Sequence, residues 1–195
     1  MESITGLRER KKAATRQAVH EAALRLTVEH GIENVTVEAI ADAAGISRRT
    51  FSNYFSSKED ALLFGEEQQT RALVETLRQR PPEESAWTAL TSAARSLSMR
   101  MGTPEERAWG ARSKLAMRHP SLLARQMGNH VALERDLVAA ITGRPGTERI
   151  RPQVYAAAFL TALRIATRHW VEEGGSGELM DLLGEIEREM AQPFD

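Results

Sequence analysis

TVEAIADAAGISRRTFSNYFSSK, residues 36–58, is the stretch on which the fold turns. Val37, Ile40, Ala41 and Ala44 recur at the i, i+3, i+4, i+7 spacing of an amphipathic helix. Thr36 stands at its N-cap, and Glu38 lies in the first turn, where a carboxylate complements the helix dipole. Gly45 follows the last apolar position and can take the left-handed conformation that closes a helix. A second helix starts two residues later with Ser47 as N-cap. Ile46 and Phe51 then occupy the N′ and N4 positions that pack as a hydrophobic staple and fix the angle between the helices. Phe51 and Phe55, four apart, face the core. The pattern predicts a helix-turn-helix.

The residues left outside by this packing point to an anionic partner. Arg48 and Arg49 open the second helix, where the positive end of the macrodipole disfavours cations by about 0.3–1 kcal/mol. A phosphate or a guanine edge in front of that end offsets the cost, because arginine forks onto either. Lys58 repeats the pattern at the start of the next helix, which Ser57 and Asp60 open in a capping-box-like arrangement. Thr50, Ser52, Asn53 and Tyr54 add polar groups to the same outward surface.

With its flanks, HGIENVTVEAIADAAGISRRTFSNYFSSKEDAL at residues 30–62, this segment resembles the N-terminal DNA-binding domain of the TetR family of transcriptional regulators. The resemblance covers about residues 7–63 and implies that the third helix reads the major groove. It carries base-reading roles onto Arg48 and Arg49, with Ser52 and Asn53 beside them. Phosphate roles fall on Thr36, Thr50, Tyr54 and Lys58, and Ser47 completes the DNA-facing set. The double arginine leaves open which of the two reaches bases. The family also implies a homodimer on a palindromic double-stranded operator, a small-molecule inducer, and repression as the outcome.

Composition agrees with this once charge is read locally. The 195 residues carry a net charge of −1 and contain no cysteine. From Leu7 to Arg16, however, Arg8, Arg10, Lys11, Lys12 and Arg16 face only Glu9, and from Ser47 to Lys58 three basic residues face none. Such segregation is the electrostatic footprint of a nucleic-acid binder. The charged start has no apolar signal core, so a cytoplasmic protein without membrane association is expected, its first six residues disordered. The five histidines (His20, His30, His119, His130, His169) are scattered, without HExxH or another paired-ligand spacing, and no phosphate-binding glycine loop follows a strand. Neither an enzyme nor a metal or cofactor site is expected.

The rest of the chain reads as all-α, about nine helices, with residues 1–63 forming the DNA-binding domain and 81–195 a ligand-binding and dimerisation domain. A first helix of about 20 residues places Ala14, Ala18, Ala22 and Leu26 on one face. Gly31 ends it, and Ile32 folds back on Leu26. A connecting helix over about 57–80 stops at Pro81-Pro82, since proline lacks the amide proton and restricts its predecessor. Further helices are expected at about 84–101, 104–117, 120–141, 152–173 and 177–190, with a glycine- and proline-bearing loop over 142–151.

The middle helices concentrate Trp87, Leu97, Met101, Trp109, Arg112, Met127 and His130. With Phe159 and Leu163 these form a candidate ligand set, since methionine- and aromatic-lined walls repack around apolar ligands. The run RHPSLLARQMGNHVALERDLVAAI at 118–141 resembles family members whose ligand domain takes acyl-CoA-like molecules. In the penultimate helix Phe159, Leu163, Ala166 and Trp170 form one stripe, while Ala156, Leu160 and Thr167 form another for a close partner helix. Two such terminal hairpins would build a four-helix dimer interface. The rival expectation is a helical protein-interaction module that does not read DNA sequence.

Overall fold

The computed structural model of the chain describes residues 4–99, 110, 113–114, 118–175 and 178–192. Among them are eight α-helices and one 3-10 turn, with no strand: α1 (Ile4–His30), the 3-10 turn (Ile32–Asn34), α2 (Val37–Ala43), α3 (Arg48–Ser52), α4 (Lys58–Arg78), α5 (Ala86–Ser98), α6 (Pro120–Ile141), α7 (Arg151–Glu172) and α8 (Leu179–Met190). The all-α expectation holds. The helix expected over 104–117 lies mostly outside the described residues, as do Met101, Trp109 and Arg112. At the start, helix rather than disorder is found from Ile4 onward.

Two compact units divide the chain, one from Met1–Glu67 with Leu115–Ala124, the other from Gln68–Lys114 with Arg125–Asp195. The first unit is organised by its caps. Thr36 Oγ1 accepts from the Ala39 amide at 3.1 Å. Gly45, at φ 68°, closes α2 in a Schellman motif: its amide donates to Asp42 O at 3.1 Å, and that of Ile46 donates to Ala41 O at 3.0 Å. Ser47 Oγ caps α3 by accepting from the Thr50 amide at 3.1 Å. These bonds satisfy amides and carbonyls that helix ends leave without intrahelical partners.

Behind the caps, Val19, Ala22, Ala23, Ile32, Val35, Ile40, Ala41, Phe51, Phe55, Ala61, Leu62, Leu63 and Leu122 form one core. Phe55 links the Phe51 ring at 5.8 Å to the Phe64 ring at 5.6 Å, the latter edge-on. The face expected on α1 is corrected: Ala14 and Ala18 are exposed, while Val19 and Ala23 join Ala22 in the core. A strict four-residue step advances about 40° around a helix at each repeat, so Ala14 and Ala18 have rotated off the stripe that Ala22 and Leu26 border.

The second unit packs α5, α7 and α8 around Leu90, Ala93, Phe159, Ala162, Ala166 and Leu183, with Leu137 and Ile141 from α6 and Leu77 from α4. Its alanines let helix backbones approach closely. On α7 the expected stripe of Phe159, Leu163, Ala166 and Trp170 faces inward, Leu163 being half-buried. The second stripe is corrected: Ala156 and Leu160 are buried within the protomer, leaving Val154, Ala157, Thr161, Arg164 and Arg168 outside. A helix flanked by both α5 and α8 spends a wider arc on its own core than a single apolar stripe suggests.

Candidate DNA-binding surface and effector region

The DNA-reading candidates gather on the outer side of the α2–turn–α3 motif. Arg48, Arg49, Ser52 and Asn53 are exposed, while Tyr54 is half-buried against the core edge. Thr36 and Ser47 hold helix caps, and Ser47 Oγ lies 2.9 Å from Thr50 Oγ1, so the Ser47 and Thr50 hydroxyls pair with each other. Arg48 reaches back to Glu38, with its guanidinium nitrogen 3.0 Å from Oε1 and both side chains more than half exposed. The Arg49 guanidinium, by contrast, meets no partner among the described residues. A free cation beside a weakly held one, at a helix start where the dipole opposes both, is an arrangement that anions resolve.

Lys58 behaves differently, and the expectation that it repeats the arginine pattern is corrected. Its Nζ donates to Ile32 O at 2.8 Å and to Val35 O at 2.9 Å. Two carbonyls, one opening the 3-10 turn and one just after it, hold the ammonium at the start of α4, which gives the cation a folding role. The N-terminal start of α4 follows expectation in part: the Asp60 amide donates to Ser57 Oγ at 3.2 Å, while the Asp60 carboxylate accepts from Ser56.

Sequence reasoning missed His20. Its Nδ1 lies 2.8 Å from Ala61 O, and since a carbonyl only accepts, Nδ1 carries the proton. Burial lowers its pKa below the ordinary 6.5, against opposing contributions from the Ala61 hydrogen bond and the carboxylates of Glu21 and Glu66. Gly65 makes the approach possible: a Cβ there would stand 2.4 Å from His20 Nε2. The glycine inside an otherwise helical pattern was the available signal.

In the second unit, four of the effector candidates come together. Phe159 is fully buried, and Trp87, Leu97 and Leu163 pack half-buried against the same core. The Trp87 ring meets Phe159 edge-on at 6.4 Å and Tyr155 at 6.4 Å, while its indole N–H donates to the Glu187 carboxylate. Met127 and His130 do not join them; both lie on the exposed side of α6, Met127 at 70%. Two polar atoms sequence reasoning did not single out, Trp170 Nε1 and Ser113 Oγ, are buried without a hydrogen-bond partner among the described residues. Arg144 was also missed: it is buried, and its guanidinium donates to Pro81 O at 2.6 Å and to Leu77 O and Arg80 O, each at 3.1 Å.

No helix among the described residues is long and apolar enough to cross a membrane. Nor does any group of three or more His, Cys, Asp or Glu among them form a candidate metal site.

Comparison with known proteins fits this geometry. Residues 20–63 match the bacterial regulatory proteins of the tetR family, and residues 84–195 match the MftR C-terminal domain. The HTH-type transcriptional regulator TcmR of Streptomyces glaucescens is 32% identical over 85% of this chain and 76% of its own length. The transcriptional regulator MftR of Mycobacterium tuberculosis is 27% identical over 90% of this chain and 88% of its own. Among solved structures, Thermus thermophilus FadR, a TetR-family repressor crystallised with lauroyl-CoA, superposes with a TM-score of 0.58 at 22% identity, covering 92% of this chain and 96% of that one. That likeness establishes a shared fold. The relatives are transcriptional regulators rather than enzymes. With its capped helix-turn-helix, its outward arginines and its MftR-type C-terminal domain, the chain belongs to the TetR family and is a ligand-responsive DNA-binding transcriptional regulator.

Proposed function

We propose that the chain acts in the cytoplasm as a homodimeric repressor that binds a palindromic operator and leaves it when an apolar, acyl-CoA-like effector occupies the second unit. The observation that carries this reading is the pair Arg48 and Arg49, presented at the start of α3 with no burial or core contact to account for them. Two copies related by a two-fold axis would set two such helices into successive major grooves, which makes the operator palindromic. Residues 1–63 form the DNA-binding domain and 81–195 the effector and dimerisation domain. Arg48 and Arg49 read base edges or phosphates; Thr36, Thr50 and Tyr54 position the backbone.

For the effector, support comes from the aromatic and aliphatic groups around Phe159, and from the Trp170 N–H and Ser113 hydroxyl, which have no partner among the described residues. A buried polar group without a partner costs about 1–3 kcal/mol, and a ligand carbonyl or thioester that accepts from it recovers that cost. The FadR structure holds a lauroyl-CoA on the same fold, which favours an acyl thioester over other apolar ligands. Release from DNA is a population shift: the effector binds the released conformation more tightly, and α4, continuous from Lys58 to Arg78, transmits the change. A hundredfold preference corresponds to about 2.7 kcal/mol.

The test is binding of the purified protein to the DNA upstream of its own gene, against scrambled competitor, followed by titration with acyl-CoAs of increasing chain length. Specific binding reversed by a subset of chain lengths supports the reading. Specific binding that no acyl-CoA reverses removes the effector class and leaves the repressor. Binding that competitor abolishes at every salt concentration removes the operator.

A further inference from the structure

We infer that α7 and α8 carry a charge code that selects a second copy of this chain, with Arg164 and Arg168 of one protomer set against Asp181 and Glu185 of the other. This rests on the homodimer reading above and adds to it the groups that decide which chains pair. The outward face of α7 begins apolar, with Ile150 69% and Val154 54% exposed, and continues through the small Ala157 and Thr161. One turn further it becomes basic at Arg164 and Arg168, both exposed. On α8 the outward side chains Asp181 and Glu185 are exposed and acidic, flanked by Glu178 and Glu189 of the same sign and by Arg188 as the one basic group. None of the four proposed partners forms an ion pair within the protomer among the described residues.

The two sets lie at matching heights. Trp170 packs against Leu179 and Leu182 across the α7–α8 hairpin. Asp181, between those leucines, is therefore level with Trp170 and within about 3 Å of rise of Arg168, and moving one turn away from the hairpin loop along each helix reaches Arg164 and Glu185. When two hairpins close into a four-helix ring about a two-fold axis along the bundle, copies of the same helix stand at opposite corners. Each α7 then neighbours its own α8 on one side and the other protomer's α8 on the other, at the same height. The exposed apolar half supplies area, and the charged half supplies selection. Complementary charge discriminates between partners, because the mismatched pairing sets like charges together.

The experiment uses the full chain in sedimentation equilibrium, with helix content checked by circular dichroism. One variant carries Arg164→Glu and Arg168→Glu, the other Asp181→Arg and Glu185→Arg. The wild type is expected to dimerise, each variant alone to self-associate about a hundredfold more weakly, and an equimolar mixture to form a heterodimer in which every facing pair is again opposite in sign. A wild-type dimer with variants that dimerise unchanged, or whose mixture gives no heterodimer, overturns the charge code while sparing the homodimer. A monomeric wild type removes both. Should either variant lose helix content, the wild-type dimer dissociation constant across a salt series decides: weakening with salt is expected, and independence of salt overturns the proposal.

Discussion

Lys58 donates from its Nζ to the carbonyl oxygen of Val35 at 2.9 Å, and the same ammonium reaches Ile32 O. It ties the first turn of α4 to the segment that leads into α2. Replacing Lys58 by Met keeps the aliphatic stem and leaves Val35 O without the ammonium, while Ile32 O keeps the Val35 amide at 3.3 Å, at a cost of about 1–3 kcal/mol. Urea denaturation should report that loss, while the salt dependence of operator binding stays near the wild-type slope. A slope reduced by about one, with unchanged stability, would make Lys58 a phosphate contact instead.

Arg144 performs the corresponding task in the second unit. Its guanidinium, 9% exposed, caps the end of α4 through carbonyls at Leu77, Arg80 and Pro81, the first of which also accepts from the Arg80 amide and the last from the Glu84 amide, both at 3.2 Å. Lysine has the charge but not the planar fork that spans three acceptors. Arg144→Lys is expected to destabilise by about 2 kcal/mol and Arg144→Leu by about 3, read from thermal or chemical unfolding. Equal stability of the Lys variant and wild type would show that charge alone suffices.

How far the sequence disclosed these arrangements depended on the range of the interaction. Caps are local, so Thr36, Gly45 and Ser47 were legible from adjacent residue types, as was the packing of Ile46 against the core that holds Phe51. Helix faces were legible only where one neighbour set the buried arc. On α7 two neighbours did, and Leu160 went inside rather than to a partner. Lys58 and Arg144 act across 23 to 67 residues of chain on backbone carbonyls, which have no side-chain signature. Among the effector candidates, Trp87 and Phe159 meet because aromatic residues at helical spacing converge on a core. Met127 shows that apolar character alone does not decide burial on α6.

The His20–Gly65 contact predicts both a pH effect and a reversal between backgrounds. Burial keeps folded His20 neutral below its ordinary pKa of 6.5, whereas the unfolded chain takes up a proton near that value. His20's contribution is therefore fully present above about pH 6.5 and lost as pH falls toward the lower folded value. Unfolding free energies of wild type and His20→Asn, measured between pH 7.5 and 5, should converge as pH drops; parallel profiles would remove His20 as the cause. Gly65→Ala should destabilise the wild type, because its Cβ meets the imidazole. In a His20→Ala background the same change should stabilise α4 by about 1 kcal/mol, the ordinary gain of alanine over glycine in a helix.

On the proposed reading of Arg48 as a DNA contact, its ion pair with Glu38 sets a carboxylate in competition with DNA for that cation. Because the pair is exposed, breaking it costs less than about 1 kcal/mol, and the phosphate or base edge takes over the guanidinium. Glu38→Gln should therefore raise operator affinity several-fold at low salt, and the gain should disappear when Arg48→Ala is added. Arg49, free of such competition, should cost more when removed: about 1–3 kcal/mol of specific affinity if it forks onto a guanine, with relaxed preference at that base pair. Fluorescence anisotropy with the operator and single-base variants of it separates these outcomes. If Arg49→Ala instead weakens all sequences equally and lowers the salt slope by about one, Arg49 holds phosphate and base reading passes to Arg48.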